Sequence, residues 1–394
     1  MKRYLYFNTV SFFDKQASFK SCLSITLQLS KYHLTITLQC GIIVLITFDC
    51  IFMNIEQTIL KIASEKDSFT TADILRALKN KITRQAVVLV LQRLVKQGKI
   101  IKGGSTRSSF YFLPKYTDKF VQRVKASLVN KNLEEHRVFS DLKEKSYFIK
   151  NLSENVYSIL EYSFDEMLNN AIDHSETKNI EVDIQSNGKD LKFIVEDFGV
   201  GVFNNVIDKK KLESEMEAMQ DLLKGKTTTA PKAHSGEGIF FTSKAVDEFI
   251  LDSFGWRLRI DNIIKDVFME EIKPVKKGTK VTCVISEKSE RHLGDVFKKY
   301  ESDDGEMDFD KTEVLVRLFT IGTVHVSRSQ ARRVLVGLEK FKVIIMDFDK
   351  VPTVGQAFAD EIFRVFKMKY PDVKVIPKNM NKAVEFMVNR VEKE

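Results

Sequence analysis

Cysteine is scarce in this chain: of four in 394 residues, Cys22, Cys40 and Cys50 fall in the first fifty and Cys283 stands alone in the rest. That distribution excludes a disulfide framework and a cysteine metal cluster, and it fits a reducing compartment, so a cytoplasmic location is expected. Prolines number only six, which argues against long extended linkers. No apolar run approaches the ~20 residues that span a bilayer. The most apolar stretch, residues 40–52, is interrupted by Asp49. Met1-Lys2-Arg3 supplies a charged start, but the apolar run begins too late for a secretory leader and no small-residue cleavage site follows cleanly.

What is present describes a globular protein. Hydrophobic residues make up 43% and charged residues 29%, and the length suits two or three domains of ~100–200 residues each. The net charge of +8 is unevenly spread: residues 54–131 carry 16 Lys/Arg against 5 Asp/Glu, while the remainder is slightly acidic. A polyanion partner is therefore expected for that one region. Residues 1–52 are rich in Thr, Ser, Leu and Phe with weak periodicity and read as an N-terminal extension, with Met53 as the expected natural start.

From Asn54 the pattern gives three helices: one with Ile55, Ile59, Leu60 and Ile62 on its apolar face, one over Thr71 to Lys79 capped by Thr70 or Thr71, and one over Thr83 to Gln97. Lys99 to Lys102 and Ser109 to Leu113 then form a candidate hairpin around Gly103-Gly104. This order, over residues 53–115, resembles a winged helix-turn-helix of bacterial transcription regulators, with Thr83-Arg84-Gln85-Ala86 opening its recognition helix. The resemblance implies double-stranded DNA as partner. Arg84, Gln85 and Arg93 would face the major groove, and Lys99, Lys102 and Arg107 would grip phosphates. A packing or dimerisation module with a solvated basic face is the alternative. Residues 116–150 are charged and helical in pattern and read as a connector; His136, in Glu134-Glu135-His136-Arg137, reads as a plain exposed helical histidine.

The chemistry lies further on. In Ser163-Phe164-Asp165-Glu166-Met167-Leu168-Asn169-Asn170-Ala171-Ile172-Asp173-His174, Glu166 and Asn170 are four apart and share a helix face. A carboxylate there can orient or deprotonate a water, and a carboxamide oxygen is a neutral hard ligand for Mg²⁺. Two predicted strands follow, the second running into Glu196-Asp197-Phe198-Gly199-Val200-Gly201, where Asp197 can accept from an adenine amino group. In His234-Ser235-Gly236-Glu237-Gly238, the glycines open a helix whose backbone amides suit a triphosphate. The polar segment from Phe203 to His234 is expected to be a lid. Thr279, at the head of a last strand, completes the adenine site through its hydroxyl or a bridging water.

Each motif alone is weak; in this order they resemble the GHKL (Bergerat-fold, histidine-kinase-like) ATPase superfamily, shared by sensor histidine kinases, gyrase-type topoisomerases, mismatch-repair ATPases and anti-sigma-factor kinases. Glu166 and Asn170 match its first motif, Asp197, Gly199 and Gly201 its second, Gly236 and Gly238 its third, Gly278-Thr279 its last. The resemblance implies ATP and Mg²⁺ as cofactors, Glu166 as general base and Asn170 as Mg²⁺ ligand. Asp173, His234, Ser235 and Glu237 join the expected cofactor-binding set, and the domain is placed at residues 151–287.

After an acidic hinge, Glu301 to Asp310, strands are expected at Glu313 to Thr320, Thr323 to Val326 and Val343 to Phe348, alternating with helices. Residues 311–394 thus resemble a STAS-like (DUF4325-type) domain. Anti-sigma kinases phosphorylate a Ser or Thr in such domains. Here Gln356 and Ala357 stand near the acceptor position, and Thr353 is the only nearby hydroxyl. The expected fold class is α+β multidomain: a winged helix, a two-layer α/β sandwich of Bergerat type and a small α/β STAS-like domain. The expected function is an ATP-binding regulator, leaning to ATP hydrolysis, that controls DNA or partner binding by its flanking domains. A protein kinase acting on itself or a partner is the alternative. A protein partner is expected at the STAS-like domain, no membrane is expected, and homodimerisation is left open.

Overall fold

The computed structural model describes residues 23–29, 32–38, 40–104, 109–226, 236–301, 309–319 and 326–392, with side chains from residue 53 onward except Asp118. The chain divides into two compact units, residues 1–101 with 110–114 and residues 102–109 with 115–394.

In the first unit, strands β1 (Leu23–Leu29) and β2 (Tyr32–Leu38) pair antiparallel. Helix α1 (Cys40–Glu65) follows and passes through Met53 unbroken. Next come α2 (Thr71–Ala77), α3 (Arg84–Lys96) and the short paired strands β3 (Ile101–Gly103) and β4 (Phe110–Phe112). Thr70 caps α2 in a reciprocal box with Asp73, its backbone N–H donating to Asp73 Oδ2 at 2.8 Å, and Thr83 caps α3 through Ala86 N–H. The helices close on Ile55, Ile59, Ile74, Val87, Leu91 and Leu94, all fully buried. Burying each such side chain contributes about 1.5–3 kcal/mol, which is what holds helices this short.

The second unit begins with β5 (Gln122–Val129), α4 (Glu135–Glu144) and α5 (Tyr147–Lys150). The helical reading of residues 116–150 is therefore corrected at β5. Its Val124, Ala126 and Leu128 alternate inward while Arg123 and Lys125 face outward to pair with Asp183 and Glu181. That is a period of two, and charged residues on one face of an edge strand mimic a solvated helix in composition. Then follow α6 (Glu154–His174), β6 (Asn179–Ser186), β7 (Asp190–Asp197), α7 (Val202–Lys210), α8 (Glu215–Lys224) and α9 (Gly238–Ala245). Strands β8 (Glu248–Ser253), β9 (Trp256–Asp261), β10 (Asp266–Glu271) and β11 (Thr279–Ser286), with helix α10 (Leu293–Lys298), complete this region.

The seven strands form one antiparallel sheet in the order β10-β9-β8-β11-β7-β6-β5. Helix α6 packs Ile159, Phe164, Met167 and Leu168 against the face that carries Val182, Phe193, Val281 and Cys283. This makes a two-layer α/β sandwich whose last strand in sequence, β11, lies between β8 and β7.

The remaining elements are β12 (Lys311–Leu315), α11 (Arg328–Leu335), β13 (Val343–Asp347), α12 (Gln356–Asp360) continuing through a π-helical turn (Glu361–Phe366) into α13 (Lys367–Lys369), β14 (Lys374–Lys378) and α14 (Lys382–Glu392). Strands β12, β13 and β14 pair in parallel, as the alternation of strand and helix requires. The first of them is shorter than expected, since Val316–Phe319 turns into a 3₁₀ segment. The strand expected at Thr323 to Val326 lies almost wholly outside the described residues. Asp360 and Glu361 are buried and ion-paired, with Arg328 and Arg364 on the first and Arg332 on the second.

Candidate functional site

Three chain segments are folded toward one another by tight backbone contacts. At the end of β7 the turn Gly199-Val200 closes on the C-terminus of α6, where Val200 N–H donates to Ser175 O at 2.9 Å. A Cβ on Gly199 would stand 1.6 Å from that same oxygen, so only glycine fits. Gly278 has φ +88°, and a Cβ there would come within 2.1 Å of Asp197 O. It lets β11 begin directly opposite the end of β7. Gly238, the first residue of α9, lies against the Glu166 carboxylate, and a Cβ would meet Glu166 Oε2 at 2.1 Å. These glycines serve close approach between elements, and they bring α6, β7, β11 and α9 around one cavity.

That cavity, about 300 Å³, is lined by Glu166, Asn170, Asp197, Gly201, Gly236, Glu237, Gly238 and Thr279 among others. Its apolar wall comes from three neighbouring strands, through Val195, Leu251 and Val281. Asp197 is buried, and its Oδ1 accepts from Gly199 N–H at 2.9 Å and Thr279 N–H at 3.2 Å. Burial raises its pKa, and the two backbone donors oppose that shift. The Thr279 hydroxyl also bonds to it and acts in the same direction, so the carboxylate is fixed in orientation, and its several lone pairs leave further acceptor capacity. Thr279 Oγ1 accepts from Val202 N–H at 2.9 Å, which ties β11 to the start of α7.

Asn170 has a buried carboxamide nitrogen with no hydrogen-bond partner. An unmade bond of this kind costs about 1–3 kcal/mol, which a ligand in the cavity would recover. Glu166 and Glu237 lie near enough to Tyr162 that, after burial, their charges are the next causes raising its pKa. Two carboxylates thus stand where α9 begins. Asp165, beside Glu166, has a buried Oδ1 without a partner, and its pKa is pushed up to about 7 by burial and then by Glu135, Glu161 and Glu166.

The sign of the Asp165 effect follows from linkage. The unfolded chain releases this proton near 3.8 and the folded chain near 7, so stability falls as pH rises from about 4 to about 7 and is level above. Asp165→Asn is expected to abolish that fall and to raise the melting temperature at pH 8 by on the order of 2–4 °C, after discounting the partial exposure of the group. Thermal melts of both proteins from pH 4 to 8 check it; parallel pH profiles would refute it.

Most of the site residues expected from sequence meet here. Glu166, Asn170, Asp197, Gly201, Gly236, Glu237, Gly238 and Thr279 line the cavity, and Gly199 shapes its edge. Asp173 does not: it is exposed and absent from the lining. The inward arc of α6 includes Asn170 and His174, and at 100° per residue position 173 turns to its rim. His234, Ser235 and Arg107 lie outside the described residues, as does the part of the expected lid at residues 227–235. Sequence reasoning missed Asn169, His174 and Asn205 in the lining. His174 was findable, standing four residues after Asn170 on the same helix face; nothing in the sequence marks Asn205.

The basic residues of the first unit are less uniform than their number suggests. Arg84 and Gln85 are exposed on α3, and Lys102 is exposed on β3. Arg93 and Lys99, however, both pair with Glu56 on α1, Lys99 Nζ at 2.7 Å. They hold α3 and the turn after it to α1. His136 is exposed on α4.

Residues 137–260 match the family model of the histidine kinase-like ATPase domain. The match takes in Glu166, Asn170, Asp197 and the glycines before α9, so the sandwich is a domain of this class and implies ATP as its ligand. Residues 330–385 match a second family model, a STAS-like domain of unknown function, DUF4325. Among curated proteins none matches the chain. No helix among the described residues is long and apolar enough to cross a membrane.

Proposed function

We propose that this chain is a regulator that binds and hydrolyses Mg-ATP in the cavity between α6, β7, β11 and α9, and that nucleotide state controls what its flanking domains bind. The observation that carries the reading is the convergence of Glu166, Asn170, Asp197, Thr279 and Gly238 on one cavity. Val195, Leu251 and Val281 form an apolar wall for the purine, and Asp197, oriented by two amides, accepts from its amino group. Backbone N–H groups at the start of α9 favour the phosphates.

The residues also fit a magnesium ion. Among the described residues no cluster of three or more His, Cys, Asp or Glu forms a dedicated cage, and Mg²⁺ typically takes one or two protein ligands beside phosphate and water. Asn170 would be the ligand through its carboxamide oxygen, a neutral hard donor, while its buried and unpartnered nitrogen would be free to donate to a phosphate or water oxygen. The ion would neutralise phosphate charge; Glu166 orients the attacking water and takes its proton.

Thr353, the one hydroxyl near the expected acceptor position, is half-buried in the loop before α12 and is not in the cavity lining. Hydrolysis is therefore favoured over transfer to that residue. Incubation with γ-labelled ATP is expected to yield free labelled phosphate. Covalent label on the protein would instead support a kinase, and neither product would remove the enzymatic claim.

For the first unit the reading is DNA contact through the outer face of α3, as in a winged helix. With Arg93 and Lys99 committed to Glu56, Arg84 and Gln85 carry that contact. Arg84→Ala is expected to weaken duplex binding about tenfold, the effect of losing one base-edge contact. Electrophoretic shifts at several salt concentrations test this, and unchanged binding by the variant would refute the assignment.

A further inference from the structure

Two helices of the ATPase domain reach past the nucleotide cavity into the C-terminal domain. On α8, Leu222 lines the cavity, while Lys224, two residues on, is 5% exposed and buried against α11. Its Nζ donates to Val336 O at 2.8 Å and Arg333 O at 3.1 Å, carbonyls at the C-terminal end of α11 where a cation is favoured. Thr312 of β12 donates its hydroxyl to Lys224 O at 2.6 Å, and Gln220 Nε2 donates to Leu318 O at 2.5 Å. On α9 the arrangement repeats. Gly238 and Ile239 line the cavity, and the next two residues, Phe240 and Phe241, enter the core of the C-terminal domain. Both rings lie 4.7 Å from Phe309, which in turn packs on Phe341 at 5.3 Å.

Burying a lysine this fully is costly, and its pKa falls to about 8 because burial outweighs the attraction of Asp221. A surface-tethered accessory domain would not require such a group. The two carbonyls at the end of α11 are what satisfy it, so the contact holds only while α8 and α11 keep their relative position.

We infer that α8 and α9 couple the nucleotide cavity to the C-terminal domain, with Lys224 as the positioning residue that ties α8 to the end of α11. A nucleotide that fixes Leu222 on α8 and the first turn of α9 then also fixes α11 and the aromatic cluster around Phe309. This rests on the nucleotide-binding reading above and names the route by which occupancy reaches the second domain. Coupling between sites is a free energy shared by both, typically a 5–150-fold effect.

The test is amide hydrogen exchange on the full-length chain with and without a non-hydrolysable ATP analogue and Mg²⁺, with occupancy measured separately by equilibrium dialysis. In the wild type, the analogue is expected to slow exchange over residues 331–341 by about tenfold. Lys224→Met, at a position outside the cavity lining, is expected to keep binding the analogue but to reduce that slowing below about twofold; Lys224→Arg, which can still donate to both carbonyls, restores it. Bound analogue without slower exchange in the wild type overturns the coupling and leaves the nucleotide site standing. Failure of the wild type to bind the analogue overturns both. Should Lys224→Met not fold, the wild-type comparison alone decides the matter.

Discussion

Glu166→Gln is expected to bind Mg-ATP as the wild type does and to hydrolyse it about 10²–10⁴-fold more slowly, the range that loss of a positioned general base produces. The substitution is nearly isosteric, which matters here. The carboxylate lies against the first residue of α9, where even one added methyl on Gly238 would come within 2.1 Å of it. A glutamine fills the same space and leaves α9 in place, so a loss of turnover is then chemical and not a collapse of the phosphate end of the cavity. Phosphate release measured beside nucleotide affinity separates the two. Undiminished hydrolysis would remove Glu166 from the mechanism and turn attention to Glu237, the second carboxylate at the start of α9.

Asp197→Asn is expected to cost about 10–100-fold in ATP affinity, the worth of a hydrogen bond to a charged acceptor. Asn can keep an oxygen on Gly199 N–H and Thr279 N–H, so the turn after β7 and the start of β11 stay paired. Its amide nitrogen then replaces Oδ2 and presents a donor to adenine's amino group, which is also a donor. Guanine carries an acceptor, O6, at the corresponding edge. The preference for ATP over GTP should therefore shrink by a similar factor, read as the ratio of the two dissociation constants. An unaltered ratio would mean that Asp197 braces the fold without reading the base.

Much of this site was readable because its parts are local. Glu166 and Asn170 announce themselves by helical spacing, and Asp197 by standing at a strand end before Gly199 and Gly201. The sequence assigns the glycines to turns and phosphate contact; the structure adds that Gly199 is obligatory, because the Ser175 carbonyl sits where a Cβ would be, and that Gly238 lies against the end of the Glu166 side chain, which a Cβ would push aside. Such crowding depends on contacts with distant residues, Ser175 and Glu166, which spacing does not encode. The same limit explains β5. Arg123 and Lys125 look like a solvated helix until Asp183 and Glu181 on β6 are seen beside them.

The acidic segment from Glu301 to Asp310 read as a hinge on composition alone. Residues 302–308 lie outside the described residues; at the flanks, Tyr300 and Phe309 are buried against the rings of α9. The adjacent Phe240 and Phe241, both apolar and just past Gly236-Glu237-Gly238, are the available sign that α9 has a second packing partner.

The order of strands in the ATPase sheet bears on how the protein can be dissected. The matched span of residues 137–260 ends before β11 and begins after β5. A fragment excised at those limits would keep Glu166 and Asn170 yet lose Thr279 and the strand between β8 and β7, splitting the sheet into halves with raw, unpaired edges. Unpaired edges of this kind template pairing with other chains, so such a piece is expected to aggregate.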